Sequence, residues 1–236
     1  MRPGYRRTSA CGAAIFVFLI SLSGCTGLAS RNDAELVTTQ GGRPAKSVSP
    51  SRPLSPNPMA LGRASAVLTI FEFSDYQCSH CRRFHAEVLP ALRHAYIDTG
   101  KVQLIFKDYP LSQHTEAMPA AVAGRCAAAQ DKFWPMNELL FANQARLAAA
   151  LYPKLAEALA LDVEAFKTCT QNPALRVAVE RDQKQALGLG ITATPGFLIG
   201  RMQGERMLVE RVGNGFIDFA TLSAELDKLL AAPAPE

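Results

Sequence analysis

Residues Ser74 to His85 read SDYQCSHCRRFH, and the pair Cys78 and Cys81 inside them decides how the rest of the chain is read. Two cysteines three apart can grip a metal, close a structural staple or trade electrons with another protein. The flanks begin to separate these. Upstream, Ala66-Val67-Leu68-Thr69-Ile70-Phe71-Glu72-Phe73 is a strand-like apolar run. Downstream, Phe84, Val88, Leu89, Leu92 and Tyr96 recur at helical spacing until Gly100 stops them. The pair therefore stands at a strand-to-helix junction, with Cys78 at the start of the helix.

The compartment is argued from the whole chain. Its 236 residues, 48% hydrophobic and 19% charged, allow one ordinary domain with a sizeable core plus extensions. Removing Arg2, Arg6 and Arg7 from the 25 basic residues leaves 22 against 21 acidic ones. That balance gives no basic footprint for nucleic acid. The start has the form of an export signal. Arg6-Arg7 precede a short apolar run, Ala13 to Leu22, whereas a membrane span wants roughly 18 or more such residues. Leu22-Ser23-Gly24-Cys25 resembles the lipobox of bacterial lipoprotein signals. The resemblance implies a signal over residues 1–24, cleavage before Cys25 and a lipid on its sulfur; a coincidental cysteine after an ordinary signal is the alternative.

Cys11 falls inside the signal, so with Cys25 lipidated Cys78, Cys81, Cys126 and Cys169 remain. An even number in an exported chain makes two disulfides the economical expectation. Adjacency favours Cys78 with Cys81 and Cys126 with Cys169. Residues 25–64, as in SVSPSRPLSPNPMALGR, are rich in Ser, Pro, Arg and Gly and read as a tether ahead of a folded domain over 65–231. A second strand, Val102 to Phe106, is followed by helical patterns over about 112–189. Gly196 to Gly200 and Arg206 to Val212 then read as strands, and FIDFATLSAELDKLL as a closing amphipathic helix.

A CxxC within a βαβ pattern reads as a thioredoxin-like redox motif. The stretches LGRASAVLTIFEFSDYQCSHC, FKDYPL, GRCAAAQDKFWPMNELLF, FKTCTQ and ALGLGITATPGFLIG make the likeness specific. In this order they resemble the DsbA-like branch of the thioredoxin superfamily, over nearly the whole stretch from Met59 to Leu230. The fold implied is α/β, a thioredoxin fold with an inserted helical domain.

Each candidate residue has a chemical reason. At a helix N-terminus, unpaired N–H groups and the dipole favour an anion, so the Cys78 thiolate is stabilised and is the attacking sulfur. His80, inside the pair, can add positive charge or an N–H donor. Cys81, one turn on, is the resolving cysteine. Glu72 is a carboxylate in an apolar strand, six residues before Cys78, where the family carries a buried acid that exchanges a proton with the resolving thiol. A solvated strand face is the alternative for Glu72, and Lys107 is its candidate counter-charge. Ala193-Thr194-Pro195-Gly196 resembles the family's cis-proline loop, which implies that Thr194 and Pro195 face Cys78 and offer backbone to an extended substrate. The resemblance also makes Cys126 and Cys169 a structural disulfide, with two buried free thiols as the alternative. Tyr76, Met118 and Phe197 are candidates for an apolar groove around Cys78, while Phe133 and Trp134 read as core.

A metal site is not expected. Cys78, Cys81 and His85 could align on one helix face, but structural zinc usually wants four ligands and no second CxxC or HxxxH is present. Arg82 stands where haem attachment requires histidine, and His85 reads as an ordinary surface or half-buried residue. The implied activity is thiol–disulfide exchange with exported proteins, chiefly dithiol oxidation, by a lipid-anchored monomer in the cell envelope. It needs no cofactor beyond the cysteine pair, and a membrane DsbB-like partner would reoxidise it. A reductase or isomerase using the same residues, and a non-catalytic metal- or peptide-binding lipoprotein, are the rival readings.

Overall fold

A computed structural model of the chain describes residues 57–233; the signal segment, Cys25 and the stretch up to Pro56 lie outside the described residues. Strands β1 (Ala60–Leu61), β2 (Leu68–Ser74), β3 (Val102–Asp108), β4 (Gly196–Gln203) and β5 (Arg206–Asn214) form one sheet in the order β1-β3-β2-β4-β5. β2 and β3 are parallel, from Leu68 opposite Val102 to Ser74 opposite Asp108. A parallel pair needs a crossover. It is supplied by α1 (Ser79–Arg83), a π-helical turn (Phe84–Val88), α2 (Leu89–Leu92) and a second π turn (Arg93–Ile97). Pro90 accounts for the first interruption. It has no N–H for the carbonyl of residue 86, and the wider ring closes from the Leu89 N–H to the Phe84 oxygen.

β4 pairs antiparallel with β2, and β5 with β4. The β4–β5 register shifts between Ile199 and Gly200, where a Cβ on residue 200 would meet the Leu208 carbonyl oxygen at 1.9 Å, so only glycine fits. Alternation along β2 sorts its side chains onto two faces. Leu68 and Ile70 join Phe84, Leu92 and Leu226 under the crossover and the C-terminal helix. Phe73 points the other way, to Tyr109, Ile191 and Leu198. Each such buried side chain contributes about 1.5–3 kcal/mol relative to exposure.

Between β3 and β4 lie α3 (Ala117–Ala128), α4 (Phe133–Ala142), α5 (Tyr152–Ala158), α6 (Val163–Thr170) and α7 (Pro173–Gly188). Asp162 and Asn172 cap α6 and α7 by accepting the N–H groups of Ala165 and Ala174. Phe133, Met136, Leu140, Phe166 and Val179 fill this unit's core. Cys126 of α3 and Cys169 of α6 are joined as a disulfide, with Cα atoms 5.8 Å apart. The last helix, α8 (Phe219–Ala231), is capped by Asp218. This is the thioredoxin fold with an inserted helical domain.

Two expectations are corrected. Residues 60 and 61, read with the tether, form β1 and pair with the outer edge of β3. Trp134 fixes that strand by donating from Nε1 to the Ala60 oxygen at 3.1 Å. Lys107 is not the counter-charge of Glu72. On β3 it lies beside Phe73, whose side chain faces the α7 side, and its Nζ donates to Asp182 Oδ1 at 3.0 Å. Arg125 joins the same cluster, donating from Nε to Asp108 Oδ2 at 2.6 Å and from a terminal nitrogen to Asp182. These charges tie the helical insertion to β3.

Candidate active site

At the end of β2 the chain turns through Asp75, Tyr76 and Gln77 and enters α1 with Cys78 as its N-cap, in extended backbone. Asp75 builds this turn. Its buried carboxylate accepts the N–H of Gln77 at 2.6 Å and of Leu111 at 2.7 Å, and lies 2.8 Å from His114 Nδ1. The helical insertion grips the same turn. Gln144 Nε2 donates to the carbonyls of Tyr76 at 2.7 Å and Cys78 at 3.0 Å, and Asn137 Nδ2 donates to the Tyr76 hydroxyl.

Across the sheet the Thr194–Pro195 peptide is cis. The Cys78 thiol donates to the Thr194 carbonyl oxygen at 3.4 Å. Asn214 holds this loop by accepting the N–H groups of Thr192 and Ala193 at 2.7 and 3.2 Å and donating to the Gly190 oxygen. The fold thus brings Cys78, Cys81, Thr194 and Pro195 together. Cys126 and Cys169 lie in the helical insertion and serve its packing.

Both active-site cysteines are thiols, and their surroundings drive them apart. The hydrogen bond from the Cys81 thiol, then the Thr194 side chain and the backbone N–H groups of Cys81 and His80, outweigh burial. They bring the Cys78 thiol from 9.0 down to about 5. Burial, followed by the neighbouring Cys78 sulfur, pushes the fully buried Cys81 thiol up. One sulfur is an anion at neutral pH and the other holds its proton. His80 contributes through its backbone; its side chain is exposed and none of the described hydrogen bonds takes it to sulfur.

Glu72 is fully buried rather than on a solvated face. Its partner is His85, with Nε2 2.9 Å from Oε1. The His85 side chain is only 6% exposed, packed on the Phe141 ring at 4.2 Å between centroids. As a residue His85 is half-buried, one of the two placements expected for it, but i+4 from Cys81 turns its ring inward to Glu72 rather than to the surface. Tyr76 and Phe197 are likewise core residues, not groove walls. Tyr76 stacks on Phe106, and Phe197 packs against Phe84. Met118 is half-buried against the core of the helical insertion. Among the described residues no group of three or more His, Cys, Asp or Glu side chains is placed to hold a metal.

Sequence reading missed Asp75, Gln144 and Asn214. For Asp75 a signal existed, since an Asp three residues before a helix-capping position favours a turn closed by its side chain on the N–H two residues on. Gln144 and Asn214 act over long sequence separations and left no local sign.

An anionic thiol at a helix start, a protonated thiol one turn deeper and a loop carbonyl facing them define a thiol:disulfide oxidoreductase of the thioredoxin superfamily. Comparison with known proteins gives the same class. The family model described as thioredoxin matches residues 54–214, and the chain belongs to that family, in its DsbA-like branch. The probable disulfide bond formation protein D of Bacillus cereus is 31% identical over 152 residues, 59% of this chain and 68% of that protein. The crystal structure of alpha-DsbA1 from Wolbachia pipientis superposes with a TM-score of 0.66 at 28% identity, covering 76% of this chain and 94% of that one. The Na(+)/H(+) antiporter NhaA 3 of Salinispora tropica is 30% identical over 139 residues, which make up 58% of this chain and 21% of that protein.

Proposed function

We propose that this oxidoreductase is a dithiol oxidase for exported proteins. The observation that carries the direction is the contrast between the two sulfurs: Cys78 is lowered to about 5 while Cys81 is raised. A stabilised thiolate is a good leaving group and favours the reduced form, so the disulfide form is a strong oxidant. In the forward reaction a substrate thiolate attacks Cys78 of the Cys78–Cys81 disulfide, and Cys81 departs with the bonding pair and is protonated. A second substrate thiolate then attacks the substrate sulfur of the mixed disulfide and releases Cys78 as thiolate. The substrate is oxidised by two electrons and the cysteine pair is reduced. Thr194 and Pro195 would hold the substrate segment as an added extended strand. Glu72 would exchange the proton of Cys81.

The sequence start supports an extracytoplasmic location, with a lipid on Cys25 and the Pro-rich stretch as tether. Among the described residues no helix is long and apolar enough to cross a membrane. Reoxidation of the dithiol would fall to a DsbB-like membrane quinone reductase, and no cofactor other than the cysteine pair is needed. Equilibration of the pair against glutathione tests the direction. A potential near about −120 mV supports an oxidase, and one near about −270 mV overturns it in favour of a reductase. Cys78→Ser should abolish exchange in either direction.

A further inference from the structure

Beneath the cysteine pair, two structural periods set up a polar ladder. On β2, Ser74 and Glu72 share a face and are separated by roughly 6.6 Å along the strand. On the crossover, Cys81 and His85 are four residues apart, roughly 6 Å along the helix axis. Strand and helix run in opposite directions, so Ser74 faces Cys81 and Glu72 faces His85. The Ser74 hydroxyl supports the ionised Cys81 sulfur, and His85 Nε2 sits 2.9 Å from Glu72 Oε1.

Three atoms of this ladder are buried with no hydrogen-bond partner: Ser74 Oγ, Glu72 Oε2 and His85 Nδ1. A pair kept for stability alone would not leave them so, because each unsatisfied buried group costs about 1–3 kcal/mol. The third feature is a cavity of about 560 Å³ between the crossover and α4, lined by Leu89, Trp134, Phe141 and His85 itself. His85 sits in the first π turn, the kind of local widening often found at functional sites.

We propose that His85 extends the proton exchange of Glu72 with Cys81 into a relay that opens to solvent through this cavity. The relay rests on the thiol–disulfide exchange proposed above. When Cys81 leaves with the electron pair of the broken S–S bond, its sulfur takes a proton from Glu72 by way of the Ser74 hydroxyl or one bridging water. His85 restores that proton to Glu72 and is itself reprotonated from the cavity. When Cys81 attacks a mixed disulfide on Cys78, its S–H proton runs the opposite way. The Cys78–Cys81 bond then forms and the partner departs as thiolate. The other titratable groups facing this path are Tyr76 from the active-site turn, Arg82, Arg93, His94 and Asp98 from the crossover, and Glu138 from α4. Phe106 of β3 and Phe197 of β4, opposite Glu72 in register, bring no charge.

The test uses the full chain with its cysteine pair reduced and a disulfide-bonded peptide as substrate, so that Cys78 attacks the peptide disulfide and the second peptide sulfur departs as thiolate. Cys81→Ala traps the mixed disulfide on Cys78 and so reads the exchange itself. In otherwise wild-type protein, stopped-flow kinetics read the step in which Cys81 displaces the peptide, as a function of pH. His85→Gln keeps a hydrogen bond to Glu72 but cannot relay a proton. Release should slow about 10²-fold at neutral pH and lose one titrating limb, with the melting temperature and the trapping of peptide unchanged. His85→Ala should slow equally and recover when imidazole, which the cavity admits, is added. Wild-type release by His85→Gln across the pH range overturns the relay alone. Should that variant not fold, failure of imidazole to restore His85→Ala does the same. Absence of any trapped peptide in Cys81→Ala overturns the exchange, and the relay with it.

Discussion

The Thr194 carbonyl oxygen stands 3.4 Å from the Cys78 sulfur, although the two residues are 116 apart in sequence. The carbonyl accepts from the thiol only while the thiol is protonated. Once Cys78 ionises, the acceptor is released toward the substrate side. The thiolate retains the Cys81 thiol, the Thr194 side chain and the helix N–H groups as its donors. On the proposed reading of Thr194 as a docking group, attack and docking are thus prepared by one proton.

Ionisation of Cys78 should be visible as thiolate absorbance near 240 nm with a midpoint of about 5, absent in Cys78→Ser. The sign of the linkage is fixed by the depressed value. Stabilisation of the reduced protein by this group is complete above its ordinary 9.0 and disappears as pH falls through about 5. Each decade in that window corresponds to roughly 1.4 kcal/mol. The reduced form should therefore melt above the oxidised form at neutral pH, and the gap should narrow in acid. A midpoint near the ordinary thiol value would remove the basis for the oxidase assignment.

Asp75 should matter more than its place outside the CxxC suggests. Its buried carboxylate takes two backbone N–H groups and faces His114, so Asp75→Ala strands buried donors and should cost about 3 kcal/mol or more in denaturant unfolding. Displacement of the α1 N-cap should also raise the Cys78 midpoint above about 5. His114→Ala, which removes a partly exposed partner, should cost about 1 kcal/mol and leave the midpoint nearly in place. Equal effects of the two variants would show that Asp75 acts only through His114.

Asn214 separates docking from chemistry. Asn214→Ala deletes three hydrogen bonds that shape the loop before Pro195, at an exposed position. A loss of roughly 1 kcal/mol, or about 2–4 °C in melting temperature, is expected. Peptide substrates should show a raised KM, whereas a small dithiol that needs no docking strand should react at the wild-type rate. A common fall for both substrates would place the effect at Cys78 instead.

Much of this arrangement was legible because it is written in short periods. A strand-like apolar run announced β2, helical spacing announced the crossover, and Cys78 fell at their junction. Glu72 stood out because a carboxylate in an apolar strand has few structural uses. Its partner did not, for two reasons. Spacing places Cys81 and His85 on one helical face without saying which way it points, and His85 lies inside the π turn Phe84–Val88, where ideal helical spacing no longer holds. Lys107 misled because strand parity relative to Glu72 depends on a β2–β3 register that no local pattern fixes. β1 is two residues long and lies within a Pro-rich stretch, so its pairing with β3 leaves no periodic trace.

The Cys126–Cys169 bridge tests whether the helical insertion is a platform for the site or part of its chemistry. It closes a separation of 43 residues between α3 and α6, within the core of the helical insertion. In the chain-entropy model, replacing both cysteines by alanine should cost about 4 kcal/mol. Urea unfolding of the double variant, with the Cys78–Cys81 potential measured alongside, checks both halves of the expectation. Stability should fall while the potential stays within about 10 mV, since 30 mV already corresponds to roughly 1.4 kcal/mol at the active pair. The reason is that, among the described hydrogen bonds, α3 meets the active-site turn through Glu116, whose N–H donates to Gln77 Oε1. A larger shift in potential would mean that the bridge sets the position of the Tyr76–Gln77 turn, and that the insertion tunes the redox pair rather than merely carrying it.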